Sequence, residues 1–196
     1  MLRATSYGFV LSVFLLACGS DAEPDGTAGQ SGGGAGAAAD GSGGGCTMNL
    51  SCTLSPPASS GDVHQDCVDR INQFRMQCAC LPALERWSAG ESCADRMAMS
   101  DSTTGKAHGG FSGRICSPGG NGQNECPSYP SEQVVLQSCL QQMWNEGPPA
   151  QAPCEGSCFQ QHGHFINMTN AQWKRVACGF HRTADGKVWS VQNFAP

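Results

Sequence analysis

Thirteen cysteines in a chain of 196 residues constrain the fold more than any other feature of the sequence. The first, Cys18, ends an apolar run from Phe9 to Ala17 that has the length of an export signal and follows the positive Arg3. The other cysteines form an even set, which is typical of a disulfide framework in an exported protein, whereas reduced buried thiols would require a cytosolic one. The sequence therefore predicts up to six bridges and leaves their connectivity open.

Residues 1–18 are predicted to be a lipoprotein signal peptide. The apolar run is shorter than the about 20 residues that a membrane span needs, and its end, Leu15-Leu16-Ala17-Cys18, resembles a bacterial lipobox. In such signals Cys18 is the lipidated residue and becomes the N-terminus; an ordinary signal peptide cut near Ala17 is the alternative. Because Gly19 follows the cysteine, the resemblance to lipoprotein sorting signals favours the bacterial outer membrane or cell surface, with secretion as the other destination.

Composition divides the rest of the chain into three parts. Residues 19–45 are rich in Gly, Ala and Ser and cannot bury enough apolar surface to fold, so we predict a disordered linker. Residues 46–60 form a lead-in that contains Cys46 and Cys52. Residues 61–196 form a single domain that is long enough to have a real core.

The charge of the chain excludes one class of partner. The net charge is -5 and no block of Lys and Arg is present, so we expect no nucleic-acid binding, which needs clustered basic residues. Charged residues make up only 14% of the chain, against roughly 25% in ordinary soluble domains. Disulfides rather than surface ion pairs are therefore expected to stabilise the fold.

Apolar spacing predicts three helices in the first part of the domain, over residues 62–77, 88–102 and 131–145. In the first of them Cys67, Ile71 and Phe74 share one face. Ser88 and Glu91 have the spacing of a capping box at the start of the second helix.

Two loops and a hairpin complete the expected order of elements. Residues 106–130 are predicted to be one long Gly-rich loop, and residues 147–162 another. Residues 174–181 and 188–194 alternate as two strands around the turn signal Asp185-Gly186. Helices first and a hairpin last indicate an α+β fold.

Two of the five histidines have a context that suggests a site. His164 lies between a glycine and an apolar run, where a strand could present it to a cleft, and His108 lies on a loop beside glycines. His64 and His181 are interpreted as ordinary surface or core residues.

Six motifs, taken in order, resemble the CAP superfamily, also called SCP domains (cysteine-rich secretory proteins, antigen 5 and pathogenesis-related proteins). The resemblance spans about residues 63–196, and its closing strands look most like those of bacterial members. The motifs are Ile71-Asn72-Gln73-Phe74-Arg75, Cys93-Ala94-Asp95-Arg96-Met97-Ala98, Ala107-His108, Met143-Trp144-Asn145-Glu146, Gly163-His164-Phe165, and Cys178-Gly179-Phe180 with Val191-Gln192-Asn193-Phe194. The resemblance implies a disulfide-rich α–β–α sandwich with a large open cleft.

The resemblance also implies a set of site residues. In the family two histidines and two acidic residues line the cleft and can bind a divalent cation, often zinc. His108, Glu146 and His164 match three of these positions. The fourth departs from the family, because Gln123 stands in Gly122-Gln123-Asn124 where the family usually has Gly-Glu-Asn. Glu125 and Glu132 are the possible replacements.

The chemistry of these residues is consistent with a weak cation site. Neutral imidazoles suit zinc, and a carboxylate can bind the ion or orient its water. A glutamine in place of a glutamate removes a negative charge and should weaken binding. A rival zinc site would use the four side chains whose spacing suits it in a cytosolic protein, although disulfide formation should prevail in an exported one. These are Cys154, Cys158, His162 and His164.

The leading hypothesis is an exported, lipid-anchored binding or interaction module with a cleft that can take zinc or another divalent cation. Its ligand is a lipid, a glycan or a protein. The alternative is a metal-assisted, peptidase-like hydrolase in which His108, His164 and Glu146 are the catalytic candidates. Ser112 is the nearest nucleophile on the His108 loop, but the chain has neither a His-Glu-x-x-His nor a Gly-x-Ser-x-Gly motif. A third hypothesis is that the protein is a purely structural spacer whose cleft is vestigial.

Overall fold

The structure is a computed structural model, and it describes residues 46–196. The predicted signal peptide with Cys18 and the predicted linker lie outside the described residues. The elements, in chain order, are α1 (Val63–Gln73), β1 (Glu85–Arg86), α2 (Ser88–Thr104), α3 (Gly109–Ser112), β2 (Gly122–Tyr129), α4 (Glu132–Val134), α5 (Leu140–Asn145), α6 (Ser157–Thr169), β3 (Arg175–Arg182) and β4 (Val188–Ala195). Two five-residue π-helical turns extend the helices: Phe74–Cys78 continues α1, and Val135–Cys139 joins α4 to α5.

The four strands form one sheet in the order β1-β3-β4-β2. The β3–β4 hairpin is antiparallel, with Cys178 opposite Gln192, and confirms the two strands predicted at the end of the chain. β2 lies antiparallel to β4 on the other side, with Gln123 opposite Asn193. The two-residue strand β1 pairs parallel with the start of β3.

Helices cover both faces of this sheet, so the predicted α–β–α sandwich is confirmed. On one face α2 packs through Met97 and Ala94 against Trp189 and Val191. The other face carries the larger core, in which residues of α1, of the α4–α5 helix and of α6 pack against β3 and β4. Its members include Ile71, Phe74, Leu140, Trp144, Phe165, Met168, Val176 and Phe194.

The contact between α2 and β3 depends on a glycine. A Cβ atom at Gly179 would lie 2.2 Å from the carbonyl carbon of Ala94, a distance that no real Cβ contact allows. The missing side chain lets the helix backbone rest directly on the strand. This close approach fixes the depth at which α2 lies on the sheet.

All three predicted helices have close to the expected bounds, and α2 begins at Ser88 as predicted and extends to Thr104. Asp62 caps α1 by accepting hydrogen bonds from the backbone amides of His64 and Gln65, and Cys67 and Ile71 are fully buried. The α4–α5 helix begins after its N-cap Ser131 and ends at Asn145.

The capping box predicted for α2 is wrong. Trp87 is the N-cap and makes no side-chain capping hydrogen bond. Ser88 is already inside the helix, and Glu91 accepts two hydrogen bonds from the guanidinium of Arg86. Arg86 therefore binds the Glu91 carboxylate that the predicted capping box would have used.

The two predicted loops contain regular structure. Residues 106–130 include α3 and the eight-residue strand β2. The sequence of β2 lacks apolar alternation because Gln123, Asn124 and Glu125 are buried polar residues whose partners lie inside the protein. The second predicted loop ends early, because α6 begins at Ser157 and includes His164. The prediction that a strand presents His164 is therefore wrong.

All twelve cysteines of the described residues are paired, which confirms the predicted disulfide framework. The pairs are Cys46–Cys80, Cys52–Cys78, Cys67–Cys178, Cys93–Cys116, Cys126–Cys139 and Cys154–Cys158. The first two join the lead-in to the end of the first helix, and the third joins α1 to β3. Six disulfides fit a protein exported to an oxidising compartment. Among residues 46–196 no helix has both the length and the apolar character to cross a membrane.

Candidate functional site

A cleft of about 480 Å³ lies between the segment that starts at His108 and the helix α6. β2 forms its floor. Both predicted histidines and Gln123 line it, whereas Glu146 lies behind His164. The lining residues are His108, Phe111, Asn121, Gly122, Gln123, Phe159, Gln160, Gly163, His164 and Asn167.

His108 is the residue immediately before α3, and its side chain lines the cleft. Its backbone has the left-handed φ of 59°, and its amide donates a hydrogen bond of 2.5 Å to Glu125 Oε2. Its ring nitrogen Nδ1 lies 2.8 Å from Gln123 Oε1. One neighbour thus fixes the backbone of His108 and another orients its ring, while 41% of the side chain remains exposed.

Two buried carboxyl groups support the His108 segment from below. Glu125 accepts from the amide of His108, and Asp101 on α2 accepts from the amide of Gly110 at 2.6 Å. The remaining oxygens, Glu125 Oε1 and Asp101 Oδ2, are buried and have no other partner. Burial first, and then the charge of the neighbouring Asp101 carboxylate, raises the pKa of Glu125 to about 8. A proton on Glu125 can satisfy both oxygens.

Neither possible replacement for the missing glutamate lies in the cleft. The side chain of Glu125 is fully buried beneath the His108 segment. Glu132 forms an ion pair with Arg182 and lines a different cavity. Gln123 is the residue whose side chain hydrogen-bonds the His108 ring, and Glu125 Oε2 lies 3.7 Å from the same Nδ1, beneath the ring.

Glu146, just after α5, fixes His164 in the opposite wall. Its Oε1 lies 2.5 Å from His164 Nδ1. Its Oε2 accepts from the backbone amides of His164 at 3.0 Å and Phe165 at 3.3 Å. One carboxylate therefore orients both the imidazole and the part of α6 that carries it.

A buried network of amide side chains connects the two walls beneath the cleft. Gln123 Nε2 donates to Asn193 Oδ1 at 3.0 Å. Asn167 Nδ2 on α6 donates to Asn124 Oδ1 at 2.9 Å and to the carbonyl of Gln123 at 3.1 Å. Asn124 Nδ2 donates to the carbonyl of His164 at 3.1 Å. Networks of this kind, when satisfied, rigidify a core and hold a single geometry.

The imidazole rings of His108 and His164 lie near each other in the cleft. The rings of His108 and His164 are 6.3 Å apart between centroids and tilted by 30°. Each Nδ1 faces a side-chain oxygen, which is how outer partners commonly orient metal-binding histidines. Each Nε2 is without a hydrogen-bond partner among the described residues. Residues 46–196 contain no group of three His, Cys, Asp or Glu side chains placed to bind a metal.

The rival zinc set is not brought together. Cys154 and Cys158 form a disulfide with each other, so neither supplies a thiolate. Nδ1 of His162 faces the carbonyl of Glu146 at 2.9 Å rather than a shared centre with His164. His64 contacts Asp95 and, like His181, lies outside the cleft, as expected.

Several cleft residues were not recognised from the sequence. Gln160, His164 and Asn167 are four and three residues apart, a spacing that places them on one face of a helix. A helix predicted over residues 157–169 would have placed all three on the same face as candidate site residues. Phe159 covers Gly163, where a Cβ would lie 3.1 Å from its ring, and is 46% exposed.

The structure is thus a three-layer, disulfide-rich α+β domain with an open cleft that contains two oriented imidazoles. The family model described as CAP, Cysteine-rich secretory protein family, matches residues 68–194. The chain belongs to this family. The resemblance drawn from the six motifs is confirmed at that level.

A solved structure has a similar fold. The chain is similar to the structure titled "Structure of BmVAL-1", with a TM-score of 0.53 and 18% identity over 74% of this chain and 81% of that chain. It also matches the Schistosoma mansoni venom allergen-like protein 4, with a TM-score of 0.41 and 11% identity over 69% of this chain and 88% of that chain. No curated protein matches the sequence.

Proposed function

We propose that this protein is an exported binding module whose cleft takes a ligand together with a weakly bound divalent cation such as zinc. His108 and His164 would supply the two protein ligands through Nε2. Glu146 and Gln123 would orient the rings through Nδ1, and the ion would offer the ligand an open coordination position.

One observation carries this proposal. The two imidazoles face one another across a single cleft, and each is oriented by a side-chain oxygen at 2.5 Å or 2.8 Å from its Nδ1. Histidines with no role in binding have no need of paired orientation toward a shared space. The same orientation argues against a vestigial cleft, because Glu146 and Gln123 both use an oxygen to maintain it.

The contacts of Glu146 favour binding over hydrolysis. Its two oxygens accept from one imidazole and two backbone amides, so the carboxylate is occupied in positioning His164. A general base must instead reach the attacking water. The cleft lining includes no Ser, Thr, Cys or Lys nucleophile, and Ser112 is not among the lining residues.

NMR of the histidine rings during a zinc titration tests the proposed site. We expect zinc to shift the ring resonances of His108 and His164 and to leave those of His64 and His181 unchanged. The opposite pattern, or no shift at any ring, would contradict the proposal.

A turnover screen on peptide and ester libraries, with and without zinc, separates the module from the hydrolase. We expect no turnover above that of a His108→Ala/His164→Ala variant. Turnover that this variant abolishes would establish the hydrolase instead.

We also propose that Cys18 anchors the protein to a membrane through lipid. The lipobox-like ending of the apolar run supports this, and the disulfide content agrees with export. Incorporation of labelled fatty acid during expression should be lost in Cys18→Ser. Equal labelling of the variant would exclude the anchor.

A further inference from the structure

A second cavity adjoins the cleft. It has a volume of about 680 Å³, and Phe111 and Asn121 line both spaces. The two cavities are therefore neighbours, and we call the pair of them, from the histidines to Arg114, the groove. A ligand longer than a single ring could occupy both parts.

Arg114 provides the only Lys or Arg side chain that lines either cavity. It is exposed, and within residues 46–196 it makes no ion pair with a carboxylate. Its backbone has a φ of 47°, a left-handed conformation that favours glycine over a side chain. An arginine at a position where glycine would be less strained suggests a use for its guanidinium.

The rest of the groove combines aromatic rings with unused amides. Phe111 and Phe159 stand at two points along it, and the side chains of Asn121 and Gln160 are exposed with no hydrogen bond to other described residues. An amide offers both donors and an acceptor, which matches the hydroxyl groups of a sugar. Aromatic faces match the apolar faces of sugar rings, since each is flat and poorly hydrated.

We propose that the groove binds an acidic oligosaccharide and that Arg114 pairs with a carboxylate on one of its sugars. A guanidinium binds a carboxylate through two parallel hydrogen bonds, which fixes position as well as charge. Asn121 and Gln160 bind hydroxyls, and the end of the chain lies beside His108 and His164. This inference rests on the proposed function, because it names the ligand class of the same cleft.

Calorimetry with the full-length oxidised protein tests the inference, with tetragalacturonate and its methyl ester as probes. We expect the acid to bind at least about tenfold more tightly than the ester. The ester has no carboxylate, so it loses the charged hydrogen bonds to Arg114. Arg114→Gln should lose a similar factor for the acid only. Arg96→Gln is the matched control, since Arg96 is an exposed arginine of α2 outside both cavities, and it should bind as the wild type does.

Arg114→Gly separates recognition from structure. Glycine suits the left-handed backbone, so this variant should be at least as stable as the wild type while losing affinity for the acid. Wild-type affinity in either Arg114 variant, or equal affinity for acid and ester, would overturn the inference.

The remaining outcomes distinguish this inference from the proposed cation site. If zinc binds but neither sugar does, the oligosaccharide is wrong and the cation site stands. If the acid binds through Arg114 in the absence of any zinc site, the inference stands and the cation proposal fails. Binding of tetraglutamate but not of the sugar, lost in Arg114→Gln, would replace the oligosaccharide with an acidic peptide.

Discussion

Glu125 and Asp101 are two carboxyl groups buried side by side, and together they position the backbone from His108 to Gly110. Burial first, and then the adjacent Asp101, raises the pKa of Glu125 from 4.5 to about 8. The folded protein therefore favours the protonated acid. Its contribution to stability is fully present below about pH 4.5 and is lost as the pH rises through about 8.

Glu125→Gln should flatten this pH dependence. The amide cannot ionise and can still donate a hydrogen bond to Asp101. We expect the free energy of unfolding, measured in urea, to fall less between about pH 5 and pH 8 in the variant than in the wild type. Glu155→Gln, at an exposed glutamate, is the control and should follow the wild type. Identical slopes in all three proteins would mean that Glu125 does not retain its proton.

Glu146 is the second residue whose carboxylate positions a side of the cleft, because it orients the ring of His164. Glu146→Ala removes the partner of His164 Nδ1 and of two backbone amides. We expect a loss of roughly 1–3 kcal/mol in the free energy of unfolding, because these donors lose their acceptor. Glu146→Gln retains an amide oxygen and should recover part of it. An alanine variant as stable as the wild type would show that the carboxylate does not orient α6.

At the scale of elements, α6 and β2 show what the sequence could not reveal. The predicted hairpin and helices have strong periodicity and were found. α6 was missed because its cleft-facing positions, Gln160, His164 and Asn167, are polar, so its apolar face is narrow. β2 was missed because its polar side chains are buried among each other instead of alternating with apolar ones. α6 and β2 both contribute residues to the cleft, and at such a site the need to bind a ligand shapes the sequence more than the need to pack a core.

The contact between α2 and β3 gives a prediction at this scale. Gly179→Ala would place a Cβ 2.2 Å from the carbonyl carbon of Ala94 and 2.4 Å from the amide nitrogen of Asp95, and these backbone atoms cannot move without displacing the helix. We expect a loss of roughly 3 kcal/mol or more in the free energy of unfolding. Gly105→Ala is the comparison, since its Cβ would meet nothing within 4 Å and only its φ of 66° opposes the change; it should cost about 1 kcal/mol. Similar losses in both variants would contradict the close approach.

For the molecule as a whole, residues 46–196 form one compact unit in which the disulfides differ widely in span. Cys67–Cys178 closes a separation of 111 residues between α1 and β3. Cys154–Cys158 closes a separation of 4 residues and joins the preceding loop to the first turn of α6. The family, the sandwich and the disulfide framework were predictable because they depend on features spread along the chain. The pairing was not, because it depends on which elements the fold brings together.

Removal of these two disulfides should separate stability from binding. In the chain-entropy description, Cys67→Ser/Cys178→Ser should cost about 5 kcal/mol and Cys154→Ser/Cys158→Ser about 2 kcal/mol in unfolding free energy. The second variant frees the turn before Phe159, so it should bind ligands in the cleft more weakly while remaining folded. Urea unfolding and calorimetry measure the two effects. An order of stability opposite to this one would contradict the global role of Cys67–Cys178.

A calorimetric titration of the oxidised protein with zinc tests most directly whether the cleft is a binding site. The comparison proteins are His108→Ala/His164→Ala, the control His64→Ala/His181→Ala, and Gln123→Glu, which adds a negative charge beside His108 where the family usually has glutamate. We expect weak binding in the wild type and the control, tighter binding in Gln123→Glu, and none in the cleft variant. Equal binding in all four proteins, or none even in Gln123→Glu, would contradict the cation site.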